Sequence, residues 1–299
     1  MNLLVTGAFD WTEEELNKLL ELGHNVVFMQ QEKSLLPCEA EWVEGIIGNG
    51  IFLYHNIEKF KNLKFIQLTS AGFDRVPIDY IKENKISIFN AKGVYNTPMA
   101  EFAICGVLQI LKQSKFFINN QTQHKWKKHR GLLELCGKTV SIIGCGSVGQ
   151  ECAKRYKAFG CKVLGVDLIS LESEHFDSIY SISEINKVLS FCDILVLTLP
   201  LTDITHHLID EEKLCRLNKD AIIVNISRGG IIKTEALIDS LKNGHLMGAV
   251  LDVFEEEPLN RNSPLWNMEN VILTPHNSFV GEGNKNRLLE LIFNNLRVI

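Results

Sequence analysis

Three glycines near the middle of the chain have the spacing of a phosphate-binding turn. They follow the apolar run Thr139–Ile143 and precede a segment with apolar residues at helical intervals. In a strand–turn–helix unit, the first glycine permits the tight turn, the second lets the backbone approach a pyrophosphate, and the third lets helix and strand pack closely. Amide groups at the start of the helix then face the anion, together with the positive end of the helix dipole. The residues that would form this dinucleotide site are Gly144, Gly146, Ser147, Val148 and Gly149.

An acidic residue ends the next predicted strand, Lys162–Asp167. Asp167 lies 18 residues after the last glycine of the turn. A carboxylate at this position can accept hydrogen bonds from both hydroxyls of an adenosine ribose, and it would repel a 2′-phosphate. Leu168, Ile169 and Ser170 follow without an arginine or a lysine. The sequence therefore favours NAD over NADP as the cofactor.

Four polar residues lie at or just past the ends of predicted strands in the second half of the chain, namely Arg228, Asp252, Glu257 and His276. The carboxyl ends of parallel strands converge on one crevice, so residues far apart in the chain can meet there. A guanidinium can hold a carboxylate through two parallel hydrogen bonds, and an imidazole can exchange a proton near neutral pH. The residue types alone leave three alternatives open: a surface arginine, a structural histidine and a solvated acidic loop at 255–257.

The composition is that of a soluble globular protein with more than one domain. The chain has 299 residues, of which 45% are hydrophobic and 22% are charged. The net charge of −5 argues against a nucleic-acid surface, and the basic stretch at 125–130 fits a solvated loop. No apolar run approaches the roughly 18 residues of a membrane span, and Met1–Gly7 has the pattern of a strand, not of a signal peptide. Neither nucleic acids nor membranes are therefore expected as partners.

The eight cysteines are scattered along the chain without a C-x-x-C pair, and most lie in apolar surroundings. This usage is typical of reduced core residues in a cytoplasmic protein. It predicts neither a disulfide framework nor a zinc site, and no other metal site is expected.

Short apolar runs alternate with amphipathic segments, which is typical of parallel α/β sheets. In the first part of the chain, strands are expected at 1–6, 24–29, 42–47 and 64–69, and helices at 12–22 and 57–63. The turn Ser70, Ala71 and Gly72 follows the last of these strands, and its small residues would leave amide groups free to hold an anion. An ordinary strand-to-helix turn explains these residues equally well.

The second part of the chain contains more strand patterns than the first. Strands are expected near 139–144, 162–167, 178–181, 194–199, 221–226, 247–251 and 271–274. Before them, Thr97 as N-cap and Pro98 at the first helical position open an apolar helix, Met99–Lys112. The polar, basic stretch 113–130 then leads to the glycine-rich unit. The pattern predicts a substrate domain over 1–97, completed by a C-terminal helix at about 280–299, and a cofactor domain over 98–279.

The sequence resembles the D-isomer-specific 2-hydroxyacid dehydrogenase family, which includes phosphoglycerate, glycerate and D-lactate dehydrogenases. The matching segments occur in family order over about 200 residues. They are SAGFD (70–74), NTPMAE (96–101), GKTVSIIGCGSVG (137–149), LPLTDITHHLI (199–209), VNISRGG (224–230), GAVLDVFEEEPL (248–259) and SPLWNMENVILTPH (263–276). So many ordered matches are far more specific than the glycine turn alone.

The resemblance implies a role for each matched residue. Arg228 would bind the substrate carboxylate and polarise the keto oxygen, and His276 would be the acid/base, paired with Glu257 and not with either of the two preceding glutamates. Asp252 would accept a hydrogen bond from the nicotinamide carboxamide. Amide groups of Ser70, Ala71 and Gly72 would hold the other side of the substrate carboxylate. The further implied cofactor contacts are Leu199, Pro200, Thr205, Ile226, Arg228 and His276.

The resemblance implies two Rossmann-like or flavodoxin-like domains with parallel sheets and a cleft between them, in a homodimer. The expected activity is that of an NAD-dependent D-2-hydroxyacid dehydrogenase, or 2-ketoacid reductase, acting on a small 2-hydroxy or 2-keto acid. A carboxylate partner would favour the protonated imidazole and thus the reduction of the keto acid. An alternative is an NAD(H)-binding protein similar to transcriptional corepressors; formate dehydrogenases, a third group, have Gln where this chain has Glu257.

Two departures from the family pattern leave the substrate open. Residues Asn277–Phe279 replace the small residues that usually follow the histidine, and Phe102 replaces a common histidine. No regulatory domain is expected beyond residue 299, which argues against the large feedback-regulated form of phosphoglycerate dehydrogenase.

Overall fold

The computed structural model describes residues 1–168 and 172–298, and its contacts divide the chain into two compact units. The first unit comprises Met1–Tyr95 and Gly281–Ile299, and the second comprises Asn96–Val280. Each unit contains one sheet of parallel strands, with five strands in the first and seven in the second. The fold class predicted from the sequence, α/β with two parallel sheets, is confirmed. The assignment of the units to substrate and cofactor stays a prediction.

The first unit is built around a five-stranded sheet. Its elements up to residue 95 are β1 (Asn2–Thr6), α1 (Glu13–Glu21), β2 (Asn25–Met29), β3 (Gly45–Gly48), β4 (Phe65–Leu68), α2 (Ile78–Glu83) and β5 (Ser87–Phe89), with 3₁₀ turns at Ala40–Trp42, Ile51–Leu53 and Ile57–Lys59. The strand order β2-β1-β3-β4-β5 is that of a flavodoxin-like sheet. Helix α1 begins with a capping box between Thr12 and Glu15, which satisfies two amide groups that the helix leaves unpaired.

The second unit is larger. Its elements are α3 (Asn96–Leu111), α4 (Ser114–Thr122), β6 (Thr139–Ile143), α5 (Ser147–Ala158), β7 (Lys162–Asp167), β8 (Ser178–Ser181), α6 (Ile185–Leu189), β9 (Ile194–Leu197), α7 (Glu211–Arg216), β10 (Ala221–Asn225), α8 (Thr234–Lys242), β11 (Leu246–Leu251) and β12 (Val271–Leu273), with 3₁₀ turns at Ile182–Glu184, Gly229–Ile231 and Pro264–Asn267. The strand order is β12-β11-β10-β9-β6-β7-β8. If the strands are renumbered from β6 as 1 to β12 as 7 and listed from the β8 edge, the order is 3-2-1-4-5-6-7. The first six strands have the order of a Rossmann sheet, and the seventh extends it. Its switch point lies between β6 and β9, where a dinucleotide binds in such sheets.

The last helix, α9 (Asn284–Arg297), belongs to the first unit. Its buried residues Leu288, Ile292 and Leu296 join one apolar cluster with the sheet residues Leu3 and Phe65. At its start, Arg287 Nε donates a hydrogen bond of 2.7 Å to the carbonyl oxygen of Val94, and near its end Asn295 Nδ2 donates to Gln67 Oε1 at 2.7 Å. The first unit is therefore assembled from both ends of the chain.

Most element boundaries expected from the sequence differ from the observed ones by one or two residues, but several expectations were wrong. Helix α3 begins at Asn96, so Thr97 and Pro98 lie in its first turn and Thr97 is not the N-cap. The polar stretch 113–130, for which no element was expected, contains helix α4, whose three apolar residues are consecutive and show no helical periodicity. The predicted helix at 57–63 is a single 3₁₀ turn. The sequence analysis also missed α2 and β5, which are only six and three residues long.

All eight cysteines are free thiols, as the sequence analysis expected. The expectation that most of them lie in the core was wrong, because only four of the eight are buried. Cys38 is half-buried, and Cys105, Cys136 and Cys215 are exposed. No helix in the described ranges is both long and apolar enough to cross a membrane.

The packing of α9 can be tested by shortening one buried side chain. Ile292→Ala should lower the free energy of unfolding by about 2 kcal/mol or more, because it leaves a cavity in a fully buried cluster. Asn294→Ala, on the exposed face of the same helix, is the matched control and should change it by less than about 0.5 kcal/mol. Urea denaturation measures both values. Equal effects of the two substitutions would contradict the packing of this helix on the first unit.

The buried cysteines predict a pattern of chemical labelling. Burial raises the pKa of Cys145, Cys152 and Cys192 to about 12, so almost none of these groups is thiolate at pH 8. Iodoacetamide at pH 8 should therefore label the exposed Cys105 and Cys215 first in the folded protein, and the three buried thiols only after denaturation. Peptide mapping by mass spectrometry measures the rates. Labelling of Cys152 as fast as that of Cys215 would show that this part of the core is open to solvent.

Candidate functional site

The glycine turn lies at the switch point of the second sheet, and two of its glycines have no room for a side chain. Gly144 has φ +98°, and a Cβ atom there would lie 2.7 Å from the amide nitrogen of Leu199. A Cβ atom on Gly149 would lie 2.1 Å from the carbonyl oxygen of Gly144, because helix and strand approach closely. At Gly146, by contrast, a Cβ atom would meet no described atom within 4 Å. The turn thus has the close packing and the one open position that a bound pyrophosphate requires.

Helix α5 starts directly at this turn. Its N-cap residue is Gly146, and no side-chain hydrogen bond from the described residues caps this end, so the first amide groups of the helix are available to an anion. Thr198 at the end of β9 donates from Oγ1 to the carbonyl oxygen of Gly144 at 2.6 Å and fixes the turn against the neighbouring strand. The residues present therefore fit the phosphates of a dinucleotide.

The segment after β9 is a compact turn. Thr205, 5% exposed, donates from Oγ1 to the carbonyl oxygen of Pro200 at 2.7 Å and accepts the amide of Thr202 at 2.7 Å. Leu199 is buried, and Pro200 is exposed beside it. The hydrogen bonds of Thr205 therefore stabilise this turn. Contacts of these residues with a cofactor stay a prediction.

Asp167 ends β7 beside the glycine turn. Its Oδ2 accepts the amide of Cys145 at 2.7 Å, and its Oδ1 accepts the amide of Leu168 at 2.7 Å. These bonds fix the carboxylate next to the turn, where the sequence analysis expects the adenosine ribose. Ile169 and Ser170, whose uncharged side chains also favoured NAD, lie outside the described residues.

Arg228 follows β10 in a turn that a buried amide organises. Asn225, 1% exposed, donates from Nδ2 to the carbonyl oxygen of Arg228 at 2.9 Å and accepts the amide and hydroxyl of Ser227 at 3.1 and 2.9 Å. Next to it, a Cβ atom on Gly229 would lie 1.8 Å from the carbonyl carbon of Phe254. Only a glycine permits this contact, which places the arginine turn against the loop after β11.

Asp252 follows β11 and is fully buried. Its Oδ1 accepts the hydroxyl of Thr274 and the amide of Asn277, both at 2.7 Å, and its Oδ2 accepts the amide of Ser278 at 2.9 Å. The carboxylate thus binds both sides of the turn that carries His276. The implied contact of Asp252 with a nicotinamide stays a prediction; sequence reasoning missed its part in holding this turn.

His276 forms a pair with Glu257. The distance from His276 Nδ1 to Glu257 Oε2 is 2.9 Å, and Glu257 Oε1 accepts the amide of Phe254 at 3.0 Å. Because Nδ1 is engaged, Nε2 is the nitrogen left for proton exchange, and no group in the described ranges bonds to it. The two side chains are 41% and 37% exposed, so a small molecule can reach them.

Backbone hydrogen bonds join these residues at one edge of the sheet. The amide of Asp252 donates to the carbonyl oxygen of Asn225 at 3.0 Å, and the amide of His276 donates to the carbonyl oxygen of Asp252 at 2.7 Å. The strands β10, β11 and β12 are neighbours, so the structure brings Arg228, Asp252, Glu257 and His276 together. Ile226, 2% exposed, also lies at this edge.

A neighbouring glutamate has a different partner. Glu255 Oε1 bonds to His207 Nε2, and Glu255 Oε2 accepts the amide of Thr234 at 3.0 Å. Burial would raise the pKa of Glu255, but the hydrogen bonds from Thr234 and His207 outweigh it and lower the pKa. Glu255 and Glu257 therefore serve two separate histidines.

The turn of Ser70, Ala71 and Gly72 belongs to the first unit, where it follows β4. The carbonyl oxygen of Ser70 accepts the amide of Ala91 at 2.9 Å, and that of Ala71 accepts Asn90 Nδ2 at 2.6 Å. These bonds fix the turn through its carbonyl groups. Among the described residues, the amides of Ala71 and Gly72 have no acceptor.

Comparison with known proteins identifies the family. Residues 104–278 match the model of the D-isomer specific 2-hydroxyacid dehydrogenase, NAD binding domain. The chain is 35% identical over 242 residues to a glyoxylate reductase of Thermofilum pendens, and the aligned region covers 79% of this chain and 71% of the relative. It is 36% identical over 223 residues to a D-3-phosphoglycerate dehydrogenase of Methanocaldococcus jannaschii, covering 74% of this chain but only 42% of that longer protein.

A solved structure agrees with these matches. The crystal structure of a glyoxylate reductase from Paecilomyes thermophila superimposes with a TM-score of 0.86 at 27% identity, over 99% of this chain and 94% of the other. The residues 104–278 that match the family model include the glycine turn, Asp167 and the edge formed by Arg228, Glu257 and His276. The chain therefore belongs to the D-isomer-specific 2-hydroxyacid dehydrogenase family of oxidoreductases and carries that family's NAD-binding domain.

Proposed function

We propose that this protein interconverts a small 2-hydroxy acid and the corresponding 2-keto acid with NAD as the cofactor. The observation that carries the proposal is the pair His276–Glu257 at the same sheet edge as Arg228, in the unit with the glycine turn. The relatives named glyoxylate reductase support a small 2-keto acid as the substrate.

Proton exchange is the part of the reaction that the protein must supply, since the bound nicotinamide supplies or accepts the hydride. Reduction of a keto acid places negative charge on the former carbonyl oxygen, which must receive a proton. His276 is suited to deliver it from Nε2, because Glu257 holds Nδ1 at 2.9 Å and fixes the orientation of the ring. In the oxidation direction the same nitrogen accepts the proton of the hydroxyl.

Arg228 is suited to bind the substrate carboxylate. A guanidinium keeps its charge at any working pH and offers paired donors that match a carboxylate. Its positive charge also stabilises the oxygen on which negative charge develops. The amides of Ala71 and Gly72 suit an anionic ligand as well, and their role toward the substrate carboxylate rests on the resemblance.

Asp167 is the residue on which cofactor choice depends in this proposal. Its carboxylate would accept hydrogen bonds from the ribose hydroxyls and disfavour a 2′-phosphate. A homodimer and a cytoplasmic location complete the proposal; they rest on the resemblance and on the eight free thiols. Size-exclusion chromatography with light scattering tests the dimer.

Replacing the acid/base should abolish most turnover. His276 has φ +51°, a conformation that asparagine tolerates, so His276→Asn should preserve the fold. We expect kcat for keto-acid reduction to fall by about 10² to 10⁴, with NADH affinity nearly unchanged. His124→Asn is the matched control, since His124 is exposed and has φ +54°. NADH absorbance with a panel of 2-keto acids, beginning with glyoxylate, measures the rates.

Two results would argue against the proposed reaction. One is a His276→Asn variant as active as the wild type. The other is a protein that binds NADH but reduces none of the keto acids, which would favour a binding function similar to that of the corepressors.

Asp167→Asn should relax cofactor selection. The substitution keeps the size of the side chain but removes its charge and one acceptor. We expect the Kd for NADH to rise about tenfold, because hydrogen bonds to a charged group contribute about 1.5–3 kcal/mol, and the preference for NADH over NADPH to fall. Glu172→Gln, an exposed neighbour in the chain, is the control. Fluorescence titration of NADH and NADPH measures both constants, and an unchanged preference would remove Asp167 from this role.

A further inference from the structure

Three side chains that the proposed reaction does not use form a compact group, and one of them belongs to the acidic loop 255–257. They are His206, His207 and Glu255, and one ligand atom of each lies within 4.8 Å of the other two. In the part of the chain that the structure describes, no other set of three histidine, cysteine, aspartate or glutamate side chains meets this distance. His207 and Glu255 are 48 residues apart, so no spacing in the sequence indicated the group.

Two of the three groups are held in place by other elements. The amide of His207 donates to the carbonyl oxygen of Gly230 at 2.8 Å. Glu255 Oε2 accepts the amide of Thr234, the first residue of α8, at 3.0 Å. The remaining oxygen of Glu255 forms a hydrogen bond with His207 Nε2. Each therefore presents a metal-ligating atom at a fixed position, and a cation can take the place of the hydrogen atom in this bond.

His206 is the third group, and it is exposed. Its ring stacks on that of His207, with centroids 3.9 Å apart and planes inclined by 28°. Stacked rings direct their nitrogen lone pairs side by side and not toward one point. His206 must therefore rotate about its side-chain bonds to bring a nitrogen toward the other two donors. Because His206 is exposed, it has the space to do so.

We propose that His206, His207 and Glu255 bind one divalent transition-metal ion of the kind that imidazole donors suit, such as Zn²⁺. Two neutral imidazoles and a carboxylate form a donor set that Zn²⁺ accepts at about 2.0–2.2 Å from each atom. Imidazole also suits Ni²⁺ and Cu²⁺, whereas Mg²⁺ and Ca²⁺ prefer oxygen donors. The side chains of His207 and Glu255 are 35% and 29% exposed, so water can fill the fourth position.

The ion would link two segments that border the candidate site. The amide of His207 donates a hydrogen bond to the carbonyl oxygen of Gly230, which lies two residues after Arg228. Glu255 lies two residues before Glu257. The site is nevertheless separate from the acid/base pair, because Glu257 bonds to His276 and Glu255 to His207. Metal binding is therefore independent of whether the proposed reaction takes place.

Exposed thiols would also bind Zn²⁺, so the test needs a chain without them. Four cysteines are not fully buried and would be replaced by serine, namely Cys38, Cys105, Cys136 and Cys215. The buried cysteines would be left in place. Calorimetric titration of this full-length, tag-free protein with ZnCl₂ measures stoichiometry and Kd. Titration with Co²⁺ reports the coordination geometry through its visible absorption.

The variants are matched to the local structure. His207 has φ +51°, so His207→Asn preserves the backbone, and His124→Asn is its control at the same backbone conformation. Glu255→Gln keeps the side-chain shape, and Glu256→Gln on the adjacent exposed residue is its control. His206→Asn tests the third ligand. Circular dichroism and thermal melting identify any variant that fails to fold, in which case the remaining substitutions decide.

We expect one equivalent of Zn²⁺ per chain, a tetrahedral Co²⁺ spectrum, and at least a tenfold rise in Kd for each of His206→Asn, His207→Asn and Glu255→Gln. For the two controls, His124→Asn and Glu256→Gln, the Kd for Zn²⁺ should stay within twofold of the value for the protein in which only the four cysteines are replaced. Absence of saturable binding overturns the proposal, as does binding that neither His207→Asn nor Glu255→Gln weakens. An unchanged Kd in His206→Asn overturns the three-ligand site.

Discussion

A buried carboxylate connects the parts of the candidate site. Asp252 is fully buried, yet its two oxygens accept three hydrogen bonds, from Thr274, Asn277 and Ser278. Burying a charge without such partners would be very unfavourable. Hydrogen bonds to a charged group contribute about 1.5–3 kcal/mol each, so the turn and the carboxylate stabilise each other. The backbone of Asp252 also bonds to Asn225 and His276. This single residue therefore sets the positions of the turns after three neighbouring strands.

Around this anchor, the side chains form two histidine–glutamate pairs from one acidic run. Glu257 and Glu255 lie two residues apart and bond to His276 and His207, respectively. A contact between the backbone at Gly229 and Phe254 brings the arginine turn to the same loop. The loop after β11 thus carries one glutamate of the pair proposed to exchange protons and one of the proposed metal site. Its shape depends on Gly229, which has no space for a side chain, and on hydrogen bonds that the amides of Thr234 in α8 and of Phe254 donate to the two glutamates.

The sequence could predict those features that depend on local chemistry. A tight turn, a close helix–strand contact and a carboxylate at a strand end each require a particular residue type, so Gly144, Gly149 and Asp167 are visible without a structure. The supporting role of Asp252 is not visible, because its partners Thr274, Asn277 and Ser278 are set by strand order and not by spacing. For the same reason, the pairing of Glu255 with His207 could not be read from the chain. Helix α4 was missed because its apolar residues Phe116, Phe117 and Ile118 are consecutive and lack the helical periodicity on which sequence reasoning relies.

The split composition of the first unit has a consequence for how the protein is made. The sheet of that unit comes from the start of the chain, whereas Leu288, Ile292 and Leu296, which cover it, come from the last helix. A ribosome releases the chain from its N-terminus, so the early strands emerge long before the helix that buries their apolar face. The second unit is contiguous over Asn96–Val280, so all its residues are synthesised before the last helix. During synthesis, the part of the chain that begins first is therefore the last to complete its core.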